Sequence, residues 1–148
     1  MTNQQEQQAI DQLNSFLRGE ISAVETYRQA LEKTKDTRAA TILRENEASH
    51  ASRVQMLRDE IRRLGGEPAE GSGVWGAFAK AVEGGAKMFG ESTAVAALEE
   101  GEDHGLKTYS NQDVRDLPTV VLQTMSSKLL PAQRRTHDAL ANLKRLMA

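Results

Sequence analysis

Apolar residues recur along this chain in steps of four and three. One seam runs Leu13, Leu17, Glu20, Val24, Tyr27, Leu31, and a second runs Leu43, Glu47, His50, Val54, Leu57, Ile61, Leu64. A third runs Val95, Leu98, Glu102, Gly105, Tyr109, and a fourth set is Leu122, Met125, Leu129, Thr136, Leu140, Leu143, Met147. This period puts each seam on one face of an α-helix, turned toward a core. Glu20, the pair Glu47 and His50, and Glu102 stand where the seams ask for apolar side chains. A carboxylate buried without a partner is costly. The pattern therefore asks for positive charge inside, and a metal ion is its first candidate.

Breaks between the seams set the expected elements. A first helix is expected over about residues 4–34 and a second over about 37–64, with Asp36 as its N-cap and Gly65-Gly66 as its stop. Residues 65–90 read as a long connection, Gly-, Pro- and Ser-rich at first. It then carries a short amphipathic helix with Val74, Trp75, Phe78 and Val82 as its apolar set. A third helix is expected over about 91–111 and a fourth over about 117–147. Pro118 suits the first turn of that helix, whereas Pro131 inside it should introduce a kink. Two short turns and one long link predict an all-α, single-domain four-helix bundle, with two antiparallel hairpins joined by a crossover.

Composition narrows the classes. The chain has 148 residues, three prolines, three phenylalanines, two tyrosines and one tryptophan, so it is helix-forming and large enough for one core. A net charge of −2 argues against nucleic acid or a membrane surface as partner. The absence of cysteine removes thiolate metal sites and disulfides. With no long apolar run and no leader-like start, the expectation is a soluble cytoplasmic domain. No phosphate-cradling loop or nucleophile elbow is present.

A short repeat links the two hairpins. Arg18-Gly19-Glu20 and Glu100-Gly101-Glu102 each precede a tyrosine seven residues after the glutamate, Tyr27 and Tyr109. In di-metal carboxylate bundles two helices each give one glutamate and two give Glu-x-x-His. Here the first helix offers Glu20, the second Glu47-Ala48-Ser49-His50 and the third Glu102, but the fourth reads Gln133-Arg134-Arg135-Thr136-His137. Measured from the turns, Gln133 lies roughly 9 Å out of level with Glu102, and Ser127, Lys128 and Leu129 are level with it. A rival reading keeps a metal-free polar core, its carboxylates closed by Lys128 or Arg134.

Through Leu17-Arg18-Gly19-Glu20 and Leu98-Glu99-Glu100-Gly101-Glu102-Asp103 the chain resembles the ferritin-like superfamily. It is most similar there to an uncharacterised bacterial domain-of-unknown-function family of small four-helix bundles. The resemblance implies iron, as one or two ions, at Glu20, Glu47, His50 and Glu102, with manganese or zinc as alternatives. By the same resemblance Tyr27 would lie beside it and Gln133 at the fourth corner, and the implied activity is Fe(II) oxidation; by position in the seams, Tyr109 and Lys128 are further candidates for the surroundings of the site. The other reading is a metal-free scaffold or stress-related interaction protein. Its apolar crossover helix and tyrosine-bearing seams would support a homo-oligomer.

Overall fold

The computed structural model describes residues 4–72, 91–110 and 117–147, all helix or connecting turn with no strand among them. Helix α1 spans Gln4–Lys33, α2 spans Thr37–Arg63 and α3 spans Glu91–Ser110. The last helical run comprises α4 (Thr119–Thr124), a π-helical stretch Met125–Leu129 and α5 (Leu130–Met147). The expected short helix around Trp75 and Phe78, and the turn at Asp113–Asp116, lie outside the described residues.

Local chemistry sets the ends. The Asp36 carboxylate accepts from the Ala39 amide at 3.0 Å, satisfying a donor that the first turn of α2 leaves open. At the other end of α2, Gly65 adopts φ +85°. Its amide donates to Arg62 O, and that of Gly66 donates to Ile61 O. This paired closure needs a left-handed residue, which glycine supplies without steric cost. Asn14 of α1 then straps the following loop, donating to Glu67 O at 3.0 Å and accepting from Ala69 N at 2.7 Å.

Proline interrupts the regular α-helical ladder of the last helix. Pro131 has no amide to donate, and its ring crowds the carbonyl four residues before it. The chain answers with a π turn just upstream, in which Leu130 N–H reaches back to Met125 O. Pro118 precedes the run with φ −58° and ψ 148°, extended as an N-cap residue should be.

Inter-helix pairs fix the directions. Arg28 meets Glu47, Tyr27 meets Glu102, Arg53 meets Gln133, and Glu99 meets Lys144. So α1 runs antiparallel to α2 and α3, and α5 antiparallel to the same two, leaving α2 and α3 parallel on opposite corners. Two apolar clusters fill the interior. One is built around Leu13, Leu17, Leu57, Ile61, Val121 and Leu129, the other around Ala30, Leu43, Val95, Leu98, Leu140 and Leu143. Between them, at the middle of the helices, the core is polar. None of the described helices is long and apolar enough to cross a membrane.

Candidate functional site

The polar layer is made by α1, α2, α3 and α5 together. His50 lies at its centre, 3 % exposed, with Nδ1 2.5 Å from Glu20 Oε1 and Nε2 2.7 Å from Glu102 Oε2. Both carboxylates are also buried. With an acid facing each ring nitrogen, the imidazole holds both protons and donates in both directions. The tyrosines cross over: Tyr27 of α1 donates to Glu102 Oε2 of α3 at 2.5 Å, and Tyr109 of α3 donates to Glu20 Oε2 of α1 at 2.6 Å. The glutamate–tyrosine repeat is thus used reciprocally.

Arg53, one turn after His50 on the same face, closes the cluster. Its Nη1 lies 3.4 Å from Glu20 Oε2 and donates to Gln133 Oε1 at 2.5 Å, and its Nη2 donates to Ser49 Oγ and Thr136 Oγ1. Gln133 Nε2 and Thr136 Oγ1 in turn donate to Glu102 Oε1 at 2.8 and 2.7 Å. Asn46 supports the layer from below, donating to Tyr27 Oη and to Thr136 O, both at 3.0 Å. Each oxygen of Glu20 and Glu102 has a donor. Two carboxylates face one imidazolium and one guanidinium, so the buried charges balance.

The electrostatics follow from these contacts. Burial pushes the Glu20 carboxyl up, but the His50 and Arg53 charges, with bonds from His50 and Tyr109, outweigh it and hold it at about 2. Glu102 is likewise lowered against the effect of burial, by His50, Tyr27 and Thr136. His50 is raised: burial favours the neutral ring, and Glu20 and Glu102 together overcome it. Burial and the adjacent carboxylates lift both tyrosines well above their ordinary value, so they remain donors.

Three of the four residues expected to bind metal therefore meet, and the fourth does not. Glu47 is turned to the flank of α2, where its Oε1 pairs with Arg28 Nε at 2.7 Å. Asn46 takes the inward position instead, 4 % exposed. Lys128 and Arg134, weighed as closing charges, are both exposed. Gln133 does reach Glu102, despite the level computed from the turns. The last helix begins at Thr119, two residues later than expected, and its π turn takes up an additional residue, which together remove about half of that offset. Arg53 and Asn46 lie outside the residues expected at the site; Thr136 stands on the inward row expected of the last helix, but its bond to Glu102 is not legible from the seam. The signal for Arg53 was its i+3 spacing from His50, and for Asn46 its i+3 spacing from Leu43.

A di-iron centre does not fit this donor set as arranged. Both nitrogens of His50 are committed to carboxylates, a guanidinium occupies the Glu20 side, and the expected bridging acid pairs elsewhere.

Above the cluster, α1 and α3 leave a cavity of about 360 Å³. Gly19, Ala23 and Gly101 keep its walls low, Phe16 and Leu98 make them apolar, and Glu20, His50 and Glu102 form its polar end. Gly105 has a separate task. A Cβ there would stand 2.6 Å from Gln133 Nε2, a side chain held at both ends. Gly105→Ala is therefore expected to cost about 1–3 kcal/mol in thermal unfolding from overpacking, despite alanine's better helix propensity. In a Gln133→Ala background the same substitution should cost less than in wild type, because the amide it meets is gone. A stabilised single variant would show that Gln133 moves aside freely.

The model of the family described as a domain of unknown function (DUF2383) matches residues 8–112, and the chain belongs to that family. The match takes in Glu20, His50, Arg53 and Glu102 but stops short of Gln133 and Thr136. No curated protein and no solved structure matches the chain.

Proposed function

We propose that this family member acts as a small-molecule binder. It would be a four-helix bundle of ferritin type without a metal in its core, taking a small apolar molecule that bears a hydrogen-bond donor into the cleft between α1 and α3. The observation that carries the reading is the cavity of about 360 Å³, apolar along its walls and ending on Glu20, His50 and Glu102. That size and that mixture of apolar lining with a few convergent polar groups are typical of ligand sites. Strongly shifted titratable groups at its end point the same way. At that end Glu20 Oε1 accepts from His50 alone and keeps capacity for a second donor, so the complementary ligand head is an amine or a hydroxyl. The helix directions, with α2 and α3 parallel on opposite corners, support the ferritin-type arrangement with its long crossover.

Ligand-observed NMR on a panel of small aromatic amines, alcohols and acids tests this. Amines or alcohols are expected to bind wild type and to lose binding in Ala23→Phe, which fills the cleft. Binding that survives Ala23→Phe, or a preference for acids, would count against the assignment. Iron remains the rival reading, favoured by the convergence of Glu20, His50 and Glu102 on one buried point. It requires His50 to turn out of its two bonds and Glu47 to leave Arg28. One to two irons per chain after anaerobic Fe(II) loading, lost in Glu47→Ala, would establish that reading instead.

A further inference from the structure

Behind the core cluster, on the outer seam between α3 and α5, a second group of donors converges. We infer that Glu99, Asp103 and His137 form a binding site for a divalent cation of the zinc type. Glu99 and Asp103 are one turn apart on α3, and His137 faces them from α5. One ligand atom from each lies within 4.8 Å of those of the other two. His137 Nε2 is 2.5 Å from Asp103 Oδ1. All three residues are partly buried, on rigid helices rather than loops.

The other nitrogen of the ring has a carboxylate of its own. Asp138 Oδ1 stands 3.2 Å from His137 Nδ1. A carboxylate on that nitrogen is the usual outer support of a metal-ligating histidine, fixing the ring and leaving Nε2 as the ligand. Zinc takes imidazole nitrogen and carboxylate oxygen at about 2.0–2.2 Å in a tetrahedron, which separates its ligands by about 3.4 Å. The three donors therefore need only side-chain adjustment, and water would complete the fourth position. An imidazole with two carboxylates suits zinc better than magnesium, which prefers oxygen ligands and keeps its waters. Lys144 Nζ, 3.4 Å from Glu99 Oε2 and half exposed, is the cation that the metal would displace.

The seam is coupled to the core by adjacency. Asp103 follows Glu102 on α3, and His137 follows Thr136 on α5. A bound ion would tie together the two helices that hold Glu102.

Calorimetric titration of the metal-free full chain with Zn²⁺ tests the site. One ion per chain is expected, with affinity falling at least about tenfold in His137→Gln and in Asp103→Asn. Asp138→Asn should weaken binding by about 10–100-fold while keeping the stoichiometry. Zinc should also raise the unfolding temperature of wild type and not of His137→Gln. Absence of saturable binding, or binding unchanged in His137→Gln, would overturn the assignment. Loss of the ion in Glu20→Gln with His137 intact would overturn it too, because it would place the metal in the core.

Discussion

Replacing Arg53 with methionine is expected to destabilise the protein by about 3–5 kcal/mol, the usual consequence of removing one partner from a buried ion pair. For a chain of this size that lowers the unfolding temperature by roughly 6–20 °C. The loss comes less from the 3.4 Å contact with Glu20 than from what is left behind. Glu20 would keep its charge with only His50 to answer it, and His50 must also serve Glu102. Gln133 Oε1 and Thr136 Oγ1 would lose a donor as well. Methionine fills the volume without restoring either. The double variant Arg53→Met with Glu20→Gln removes both charges together, so its loss should be smaller than the sum of the singles. A single-variant cost below about 1 kcal/mol, the range of exposed pairs, would mean that Arg53 is solvated and closes nothing.

The second large effect is on pH. Glu20 and Glu102 have folded-state values below the ordinary 4.5, so their stabilisation is complete above that value and is lost as pH falls through the lowered ones. His50 is raised above its ordinary 6.5, so its contribution is complete below 6.5 and is lost as pH rises through the raised value. Stability should therefore form a plateau between about pH 4.5 and 6.5 and decline on both sides. The alkaline decline arises because loss of the second imidazole proton leaves a ring lone pair facing a buried carboxylate. Tyr27 and Tyr109 are raised too, so their contribution is complete below their ordinary 10 and adds to the decline only above it. His137 is also raised, by Asp138 and Asp103 against the effect of burial, but it lies on the outer seam where solvent screens it. Denaturant titrations across pH check this. The alkaline limb should flatten in His50→Gln and persist in His137→Gln; an unchanged limb in His50→Gln would remove His50 as its cause.

The helical seams were legible because period alone determines which side of a helix is buried. Leu13, Leu17, Leu43, Leu57 and Ile61 carry essentially no exposure. The same regularity marked Glu20, His50 and Glu102 as buried exceptions. It erred at Glu47 because steps of three and four are both compatible with a 3.6-residue turn, and α2 turns Asn46 inward after Leu43 instead. The need for internal positive charge was legible, but not its source. An arginine between His50 and Val54 reads as a flank residue until the facing helix shows Gln133 and Thr136 waiting for it. The height of Gln133 was beyond sequence arithmetic, which assumes a uniform rise per residue and has no place for a π turn upstream of Pro131.

The crossed tyrosines have a consequence for alignment. Apolar seams with steps of three and four look much the same after a slide of one helical turn, about 5.4 Å, so leucine contacts alone leave α1 and α3 free to settle in several offsets. The two glutamate–tyrosine bonds cannot both survive such a slip, because each helix carries one acid and one phenol and the pairs close in opposite directions. The polar layer thus acts as a register pin, selecting one offset from a set that greasy packing would treat as near-equal.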